Sequence, residues 1–356
     1  MNKNNNKGRA SVIIVLVLLL AAIAGTVVFG MRFMKQNSEE QSAWASTYSD
    51  RATPTVTPTA KQDDTEATSE SSSEDIEEPS SEETPAATPT ISEACPTISG
   101  DLLVSPMAYM IRTADGAVVC NKLEEAMIYP ASMTKIMTAI IIIENASDLN
   151  AKVTVYPEDI DPNYEAGATL AGFEPYEEVT LMDLLYGIML PSGAEACDAA
   201  ATAVCQTKDE FVALMNQKAV ELGMANTHFS NITGLHADDQ ISTAHDIATL
   251  LTYAIKNDVF RTIASSATYT TSATTQHPEG ITLTSTLFSE LSATTMINGA
   301  VIEGGKTGTT DQAGKCLASF GRFGSYEYVL VTALAPTDQP YNVADAVTAF
   351  SALQKG

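Results

Sequence analysis

Residues 129–143 read Tyr-Pro-Ala-Ser-Met-Thr-Lys-Ile-Met-Thr-Ala-Ile-Ile-Ile-Ile, and this stretch does most to decide the fold. Pro130 and Ser132 are typical of the start of a helix. The apolar run that follows predicts that the helix is buried, with Ser132 in its first turn. Residues three apart lie on one face of a helix, so Lys135 can reach the Ser132 hydroxyl and take its proton. The stretch therefore predicts a serine hydroxyl and a lysine amine within reach of each other at the start of a core helix, a spacing that by itself also occurs by chance.

Strands are predicted on both sides of this helix. Residues 102–112 and 117–123 flank an Asp-Gly pair and predict a β-hairpin. Towards the C-terminus, three strands are predicted at 306–309, 316–323 and 326–335, with Gly324-Ser325 as the turn between the last two. A closing helix is predicted at 343–353. Between these groups the apolar period predicts helices at 181–190, 194–205, 211–222 and 245–256. We therefore expect an α+β fold: an antiparallel sheet built from both ends of the domain, flanked by helices, with a helical subdomain inserted.

The N-terminus contains an apolar segment of bilayer-spanning length. Residues 11–30 carry no charged side chain, and about 20 helical residues cross a bilayer. No small-residue cleavage site follows closely and the segment is long for a secretory signal, which favours an uncleaved anchor. Three cationic residues precede it and two follow it, so the positive-inside bias is slight. The sequence predicts a cytoplasmic tail over 1–10, a transmembrane helix over 11–30 and an extracytoplasmic remainder on the cell membrane.

An acidic, polar segment follows the apolar one. Residues 36–94 contain fourteen acidic residues against Arg51 and Lys61. This composition cannot bury enough apolar surface for a core, which predicts a disordered linker over 31–94 and a folded domain over 95–356. The whole chain has a formal charge of −25, and because the first 94 residues contribute −7, the domain carries −18. A surface this acidic argues against nucleic acid as a partner.

Five cysteines lie in the predicted domain, and their odd number does not fit a fully paired disulfide framework. One bridge, from Cys95 to Cys120, is conceivable. Cys197 and Cys205 are separated by roughly 12 Å of helical rise, which is too far for a bridge. No Cys-x-x-Cys spacing suggests a metal or redox site.

Three short motifs occur in order along the domain. They are Ser132-Met133-Thr134-Lys135, Ser192-Gly193-Ala194 and Lys306-Thr307-Gly308. Together with the segments at 190–193 and 227–235, they resemble the serine D-alanyl-D-alanine carboxypeptidases, which are low-molecular-weight penicillin-binding proteins. The resemblance extends over residues 100–353 and implies a β-lactamase/transpeptidase-like fold.

The resemblance also implies catalytic roles. Ser132 would be acylated by the terminal D-alanyl-D-alanine of a peptidoglycan stem peptide, Lys135 would be the base, and Ser192 would relay a proton to the leaving amine. A base must be uncharged, and we expect burial and the nearby Lys306 to lower the pKa of Lys135. β-Lactam antibiotics would act as inhibitors by acylating the same serine, and no cofactor is required.

Lys306, Thr307, Gly308 and Thr309 are the implied substrate-binding residues. Lys306 would hold the terminal carboxylate of the substrate. The glycine leaves room for a peptide to pair with the strand edge as an added strand. Backbone N–H groups of Ser132 and Thr309 would form the oxyanion hole.

One residue departs from the family pattern, because Ala194 occupies a position that usually carries asparagine. Losing one neutral hydrogen bond costs about 1 kcal/mol, which affects the expected efficiency more than the class of reaction. The alternatives are a non-catalytic peptidoglycan-binding or scaffold protein and a β-lactamase on the same scaffold. A zinc peptidase would need tight ligand spacing, which is not found around His228, His236, His245 and His277. Whether water or an amine accepts the acyl group stays open.

Overall fold

A computed structural model of the chain describes residues 95–291 and 296–353. The predicted cytoplasmic tail, transmembrane helix and linker lie outside these residues. Within the described ranges, none of the helices has the length and apolar character that a bilayer crossing needs.

Twelve strands are present in the described ranges. They are β1 (Met107–Arg112), β2 (Val118–Lys122), β3 (Met127–Ile128), β4 (Lys152–Val155), β5 (Glu177–Thr180), β6 (Ser242–Thr243), β7 (Thr268–Thr270), β8 (Thr282–Thr284), β9 (Met296–Ile297), β10 (Ala300–Thr310), β11 (Gly314–Phe323) and β12 (Tyr326–Ala335). Six of them form one antiparallel sheet in the order β2-β1-β12-β11-β10-β9, and the other six form three two-stranded sheets.

Nine α-helices accompany the strands in the same part of the chain. They are α1 (Lys135–Asn145), α2 (Pro157–Glu165), α3 (Leu181–Met189), α4 (Ala194–Ala201), α5 (Lys208–Glu221), α6 (Ala244–Ala254), α7 (Asp258–Ala264), α8 (Thr286–Glu290) and α9 (Tyr341–Ala352). The helices from α1 to α8 are inserted between the β1–β2 hairpin and the three long C-terminal strands. The predicted α+β architecture, with a sheet built from both ends of the domain and a helical insertion, is confirmed.

The main sheet is buried on both faces because successive side chains of a strand point to opposite sides. On β1, Tyr109 packs into the larger core with α1, α3 and α6, whereas Met110 packs into a second core with α9. The same alternation places Val329 of β12 in the first core and Leu330 in the second. The sheet is therefore a layer with α9 and the short helix α8 on one side and the other inserted helices on the other.

The predicted hairpin forms, but its first strand is shorter than expected. Residues 102–106 are not strand, since Ser99 caps a 3-10 turn at Gly100–Leu102. The Asp345 carboxylate then accepts hydrogen bonds from the backbone N–H groups of Val104 and Ser105, at 2.8 and 2.7 Å. These donors are satisfied by a side chain rather than by a neighbouring strand, so the strand begins at Met107.

The helix expected at 194–205 also ends early, at Ala201. Bonds between residues three apart replace the helical pattern there: Ala203 N donates to Ala200 O, and the Thr202 hydroxyl donates to Ala199 O. All five cysteines are free thiols. The bridge that the sequence left open from Cys95 to Cys120 is therefore absent.

Candidate active site

The nucleophile motif lies where the chain turns into α1. Residues Ala131–Thr134 form one 3-10 turn, and α1 follows directly at Lys135. Ala131 has a φ of +46°, a left-handed conformation that is uncommon for a residue with a side chain. The turn brings Lys135 Nζ to 3.3 Å from Ser132 Oγ. The predicted nucleophile–base pair is thus within reach of a proton transfer.

Lys135 is almost completely removed from solvent, with 3% of its surface exposed. Its amine donates a second, shorter hydrogen bond, of 2.6 Å, to the backbone carbonyl of Thr233. Burial lowers the pKa of Lys135, and electrostatic interaction with Cys197, Glu195 and Asp198 opposes that effect. The dominant influence is burial, which favours the uncharged amine that a base requires.

Lys306 is the second buried amine of the site, with 1% of its surface exposed on β10. Burial, followed by repulsion from Lys135, places the pKa of Lys306 well below its ordinary value. Its Nζ donates to the Thr307 carbonyl at 2.9 Å. The expected repulsion between the two lysines therefore lowers the pKa of Lys306. The pKa of Lys135 is lowered by burial instead.

Ser192 lies on the tight loop between α3 and α4, where its φ of +74° is left-handed. The side chain is buried, and its Oγ has no hydrogen-bond partner among the described residues. An unpaired buried hydroxyl is costly and uncommon in a folded protein. It is therefore a donor and acceptor that is available to a bound molecule.

The third motif lies against the first. A Cβ atom added to Gly308 would be 3.0 Å from the backbone nitrogen of Ser132 and 3.1 Å from the Cβ of Ala131. Only a glycine lets β10 approach the nucleophile turn this closely. Within the described ranges β9 pairs with β10 only at Ala300 and Val301, so the part of β10 that carries the motif has an edge without a strand partner.

The other predicted binding residues follow along that edge. Thr309 is exposed and its partner in β11 is Lys315. The Thr307 hydroxyl lies 2.5 Å from the hydroxyl of Thr286, at the start of α8. Thr286 N in turn donates to the carbonyl of Leu190, next to the second motif. All three motifs therefore meet in one place.

Several residues of the site were not predicted from the sequence. The Thr233 carbonyl accepts from Lys135, the predicted base, and Thr233 lies in the segment 227–235 that carried part of the family resemblance. The thiol of Cys197 is fully buried beside both lysines, and burial raises its pKa to about 12. Burial also raises the pKa of the Glu195 carboxyl, whose Oε1 accepts from the N–H groups of Ala171 and Gly172. Because α4 is rich in alanine, its composition did not indicate that Cys197 and Glu195 lie at the site.

The histidines do not gather at the site. Each contacts a different carboxylate: Asp239 for His228, Asp238 for His236, Glu125 and Asp246 for His245, and Glu177 for His277. Across residues 95–291 and 296–353, no group of three or more His, Cys, Asp or Glu side chains is arranged to hold a metal ion.

The chain belongs to the D-alanyl-D-alanine carboxypeptidase family, since the sequence pattern of that family matches residues 97–336. It is 30% identical over 235 residues to the D-alanyl-D-alanine carboxypeptidase DacF of Bacillus subtilis, covering 66% of this chain but 58% of that protein. It is 31% identical over 249 residues to a D-alanyl-D-alanine carboxypeptidase of Streptomyces sp. strain K15, covering 67% of this chain and 83% of that protein.

The fold of this chain is similar to that of proteins whose structures have been solved. The crystal structure of the Streptomyces K15 DD-transpeptidase aligns with a TM-score of 0.63 and 27% identity, over 71% of this chain and 98% of that one. The β-lactamase/transpeptidase-like fold implied by the motifs is therefore confirmed.

Proposed function

We propose that this protein is a serine D-alanyl-D-alanine carboxypeptidase and penicillin-binding protein that acts on peptidoglycan stem peptides. The observation that carries the proposal is the 3.3 Å contact between Ser132 Oγ and the amine of a fully buried lysine, Lys135. A hydroxyl is a weak nucleophile at its ordinary pKa and needs an adjacent base. Lys135 supplies one, because burial lowers its pKa and so favours the uncharged amine.

The proposed reaction has two steps. Ser132 Oγ attacks the carbonyl carbon of the penultimate D-alanine while its proton passes to Lys135. The C–N bond then breaks, and the terminal D-alanine leaves after its nitrogen takes a proton that Ser192 relays. Water next attacks the acyl-enzyme, releases the shortened peptide and restores the Ser132 hydroxyl. The unpaired Oγ of Ser192 supports the relay, because it is free to bond to an incoming group.

The edge of β10 supports the proposed mode of substrate binding. A peptide lying along 306–309 could pair with the free backbone groups there as an added strand. N–H groups of Ser132 and Thr309 would then stabilise the oxyanion, usually the largest electrostatic contribution to acyl transfer. Lys306 and the Thr307 hydroxyl would bind the terminal carboxylate of the substrate.

The same proposal includes a location. An anchor over residues 11–30 and a linker over 31–94 would hold the catalytic domain, residues 95–356, outside the cytoplasmic membrane, where its substrate is. The support is the uncharged run of twenty residues followed by the acidic segment. A contribution to cell shape would follow from trimming the peptides of the wall.

The test is intact-mass analysis of the full-length chain after incubation with a penicillin. We expect one adduct per chain in the natural protein and none in Ser132→Ala. Ser351→Ala is a matched control, because Ser351 lies on α9 and bonds only within that helix. Absence of an adduct on the folded natural protein would contradict the proposal and favour a binding protein without catalysis.

Two further readouts separate the related activities. Rapid conversion of the penicillin to its hydrolysed form would indicate a β-lactamase. Release of D-alanine from a synthetic stem pentapeptide in buffer would identify the carboxypeptidase. Transfer of the shortened peptide to an added amino acid, in place of hydrolysis, would identify a transpeptidase.

A further inference from the structure

The loop at 228–241 covers the start of α1. Its two ends are joined by a pair of backbone hydrogen bonds between His228 and Ile241, at 2.9 and 3.0 Å. Its middle part contributes the Thr233 carbonyl that accepts from Lys135 Nζ and the Ile232 carbonyl that accepts from the Thr138 hydroxyl, both at 2.6 Å. Two successive carbonyls of the loop are thus bonded to side chains of one helix face.

Two side chains fix the shape of this loop from inside. Asn231 Oδ1 accepts from the backbone N–H of Gly234 at 2.7 Å and from that of Thr233 at 3.2 Å. Gln240 Oε1 accepts from the backbone N–H groups of Ser230 and Asn231, at 2.6 and 3.1 Å. These bonds leave the Thr233 carbonyl little freedom to turn away from the lysine.

Gln240 also ties the loop to the nucleophile motif. Its Nε2 donates to the Thr134 hydroxyl at 2.9 Å, and Thr134 is the residue between Met133 and Lys135. Gln240 is 1% exposed and Thr134 is completely buried, so water does not compete for this bond. One amide therefore holds the loop and the motif in a fixed relation.

We propose that Gln240 is a positioning residue for the acylation step: it ties the loop 230–235 to Thr134, so that the Thr233 carbonyl orients the Lys135 amine toward Ser132. This inference rests on the proposed function. A base must be held in line with the proton it removes, and a small displacement is costly. Gln240 is hydrogen-bonded to neither Ser132 nor Lys135, so it acts through the Thr233 carbonyl.

The inference predicts a direction for the pH dependence of acylation. A carbonyl that accepts a hydrogen bond from an amine stabilises the charged form more than the neutral form. The other titratable groups that act on Lys135 are Cys197, Glu195 and Asp198 on α4. Lys306 on β10 lies near enough for Lys135 to lower its pKa. None of them is altered by a change at Gln240. Loosening the Thr233 carbonyl should therefore lower the pKa of Lys135 further.

The experiment measures the rate of penicillin adduct formation against pH on the full-length chain. Gln240→Leu keeps the volume and removes both hydrogen-bonding functions. We expect acylation at the optimum to fall roughly ten- to hundredfold and the acid limb of the profile to move to lower pH. Gln217→Leu is the matched control, since Gln217 is exposed and bonds only to Glu221, and its profile should be that of the natural protein.

A second variant tests the same bond from its other end. Thr134→Val removes the acceptor hydroxyl at nearly constant volume, and we expect the same shift of the acid limb. The double variant with Gln240→Leu should be no slower than the slower single variant, because one bond is lost in each case.

An unmoved acid limb, with or without a lower rate, would overturn the inference, because a purely structural role changes only the amount of active protein. A shift to higher pH would overturn it as well, since it would mean that Gln240 excludes water. If the natural protein forms no adduct, the proposed function itself has failed.

Discussion

At the scale of single residues, the site depends on two lysines that the fold deprives of water. Lys135 and Lys306 are both nearly inaccessible, and burial lowers the pKa of each. Burying an amine costs stability, and strongly shifted pKa values of this kind are found where reactivity requires them. The proposed base is therefore obtained at the expense of the free energy of unfolding.

This cost can be measured with Lys306→Met. An unfolded lysine has a pKa near 10.5, and the folded pKa lies below it. The unfolded state therefore binds more protons between these two values, and stability rises with pH across that window. We expect the variant to have a higher Tm at pH 7 and a smaller increase towards pH 10.

Thermal unfolding at several pH values checks the prediction; about 1 kcal/mol corresponds to about 2–4 °C in a domain of this size. Lys256→Met is the control, because Lys256 is exposed. A Tm at pH 7 that is lower in the Lys306 variant would contradict the argument.

Ala194 offers a prediction of the opposite kind, a gain of activity. Its methyl group is buried beside Ser192 at the start of α4. In Ala194→Asn an amide would offer an acceptor to the lysine amine and a donor to the substrate. We expect penicillin acylation to become several-fold faster, as one neutral hydrogen bond contributes about 1 kcal/mol. Ala194→Leu, of similar volume but without an amide, should show no gain, and a gain in both variants would speak against the amide.

At the scale of elements, the site is built by close approaches between the nucleophile turn and its neighbours. A Cβ atom on Gly234 would lie 1.9 Å from the carbonyl oxygen of Ala131, at a φ of +82°. Gly308 of β10 approaches the same turn less closely, since a Cβ atom there would lie 3.0 Å from the backbone nitrogen of Ser132. The loop and the strand thus hold the turn between them, and neither position can accept a side chain without moving it.

Gly234→Ala tests this packing, with Gly223→Ala as its control. Gly223 has a similar φ of +75° but open space around the added Cβ. The control should lose only the cost of a left-handed alanine, about 1–2 kcal/mol. We expect Gly234→Ala to lose clearly more in urea unfolding, and any folded fraction to acylate slowly. Equal losses of unfolding free energy in the two variants would show that the nucleophile turn can shift at little cost.

The sequence allowed the long elements to be predicted and indicated which motifs lie close together at the candidate site, but it did not allow the short elements to be predicted. β11, β12 and α1 are long and apolar, so their pattern is unambiguous. The acidic helix α2 contains Pro162, and β7 and β8 have three residues each, too short for a period to appear. The Thr233 carbonyl could not be predicted, because a backbone group 98 residues from Lys135 has no signature in residue type.

At the scale of the whole molecule, the two ends of the domain are joined through the C-terminal helix. Asp345 on α9 accepts from the N–H groups of Val104 and Ser105, just before β1. Asp345 is 2% exposed and Ser105 is completely buried, whereas Val104 is 49% exposed, so it is the Ser105 N–H that water does not reach. The helix thus fixes the start of the first strand as well as covering one face of the sheet.

Asp345→Ala should therefore destabilise the domain. Leaving a buried donor without a partner costs about 1–3 kcal/mol, and the Ser105 N–H would be left in that state. Asp338→Ala is the control, because Asp338 is exposed. Denaturant unfolding should show a lower midpoint for the first variant only. A midpoint equal to that of the control would mean that solvent reaches the two N–H groups.

The pairing of β1 with β12 also has a consequence for biosynthesis. Met107 lies opposite Ala333, so the inner edge of β1 acquires its partner only after about 226 further residues have been made. At a synthesis rate of about 5–20 residues per second, the nascent hairpin waits roughly 10–45 s with one side of its backbone unpaired. An open strand edge is a template for pairing with other chains. The growing polypeptide is therefore most prone to aggregate before its last strand emerges, and chaperones that hold unfolded chains have their longest opportunity then.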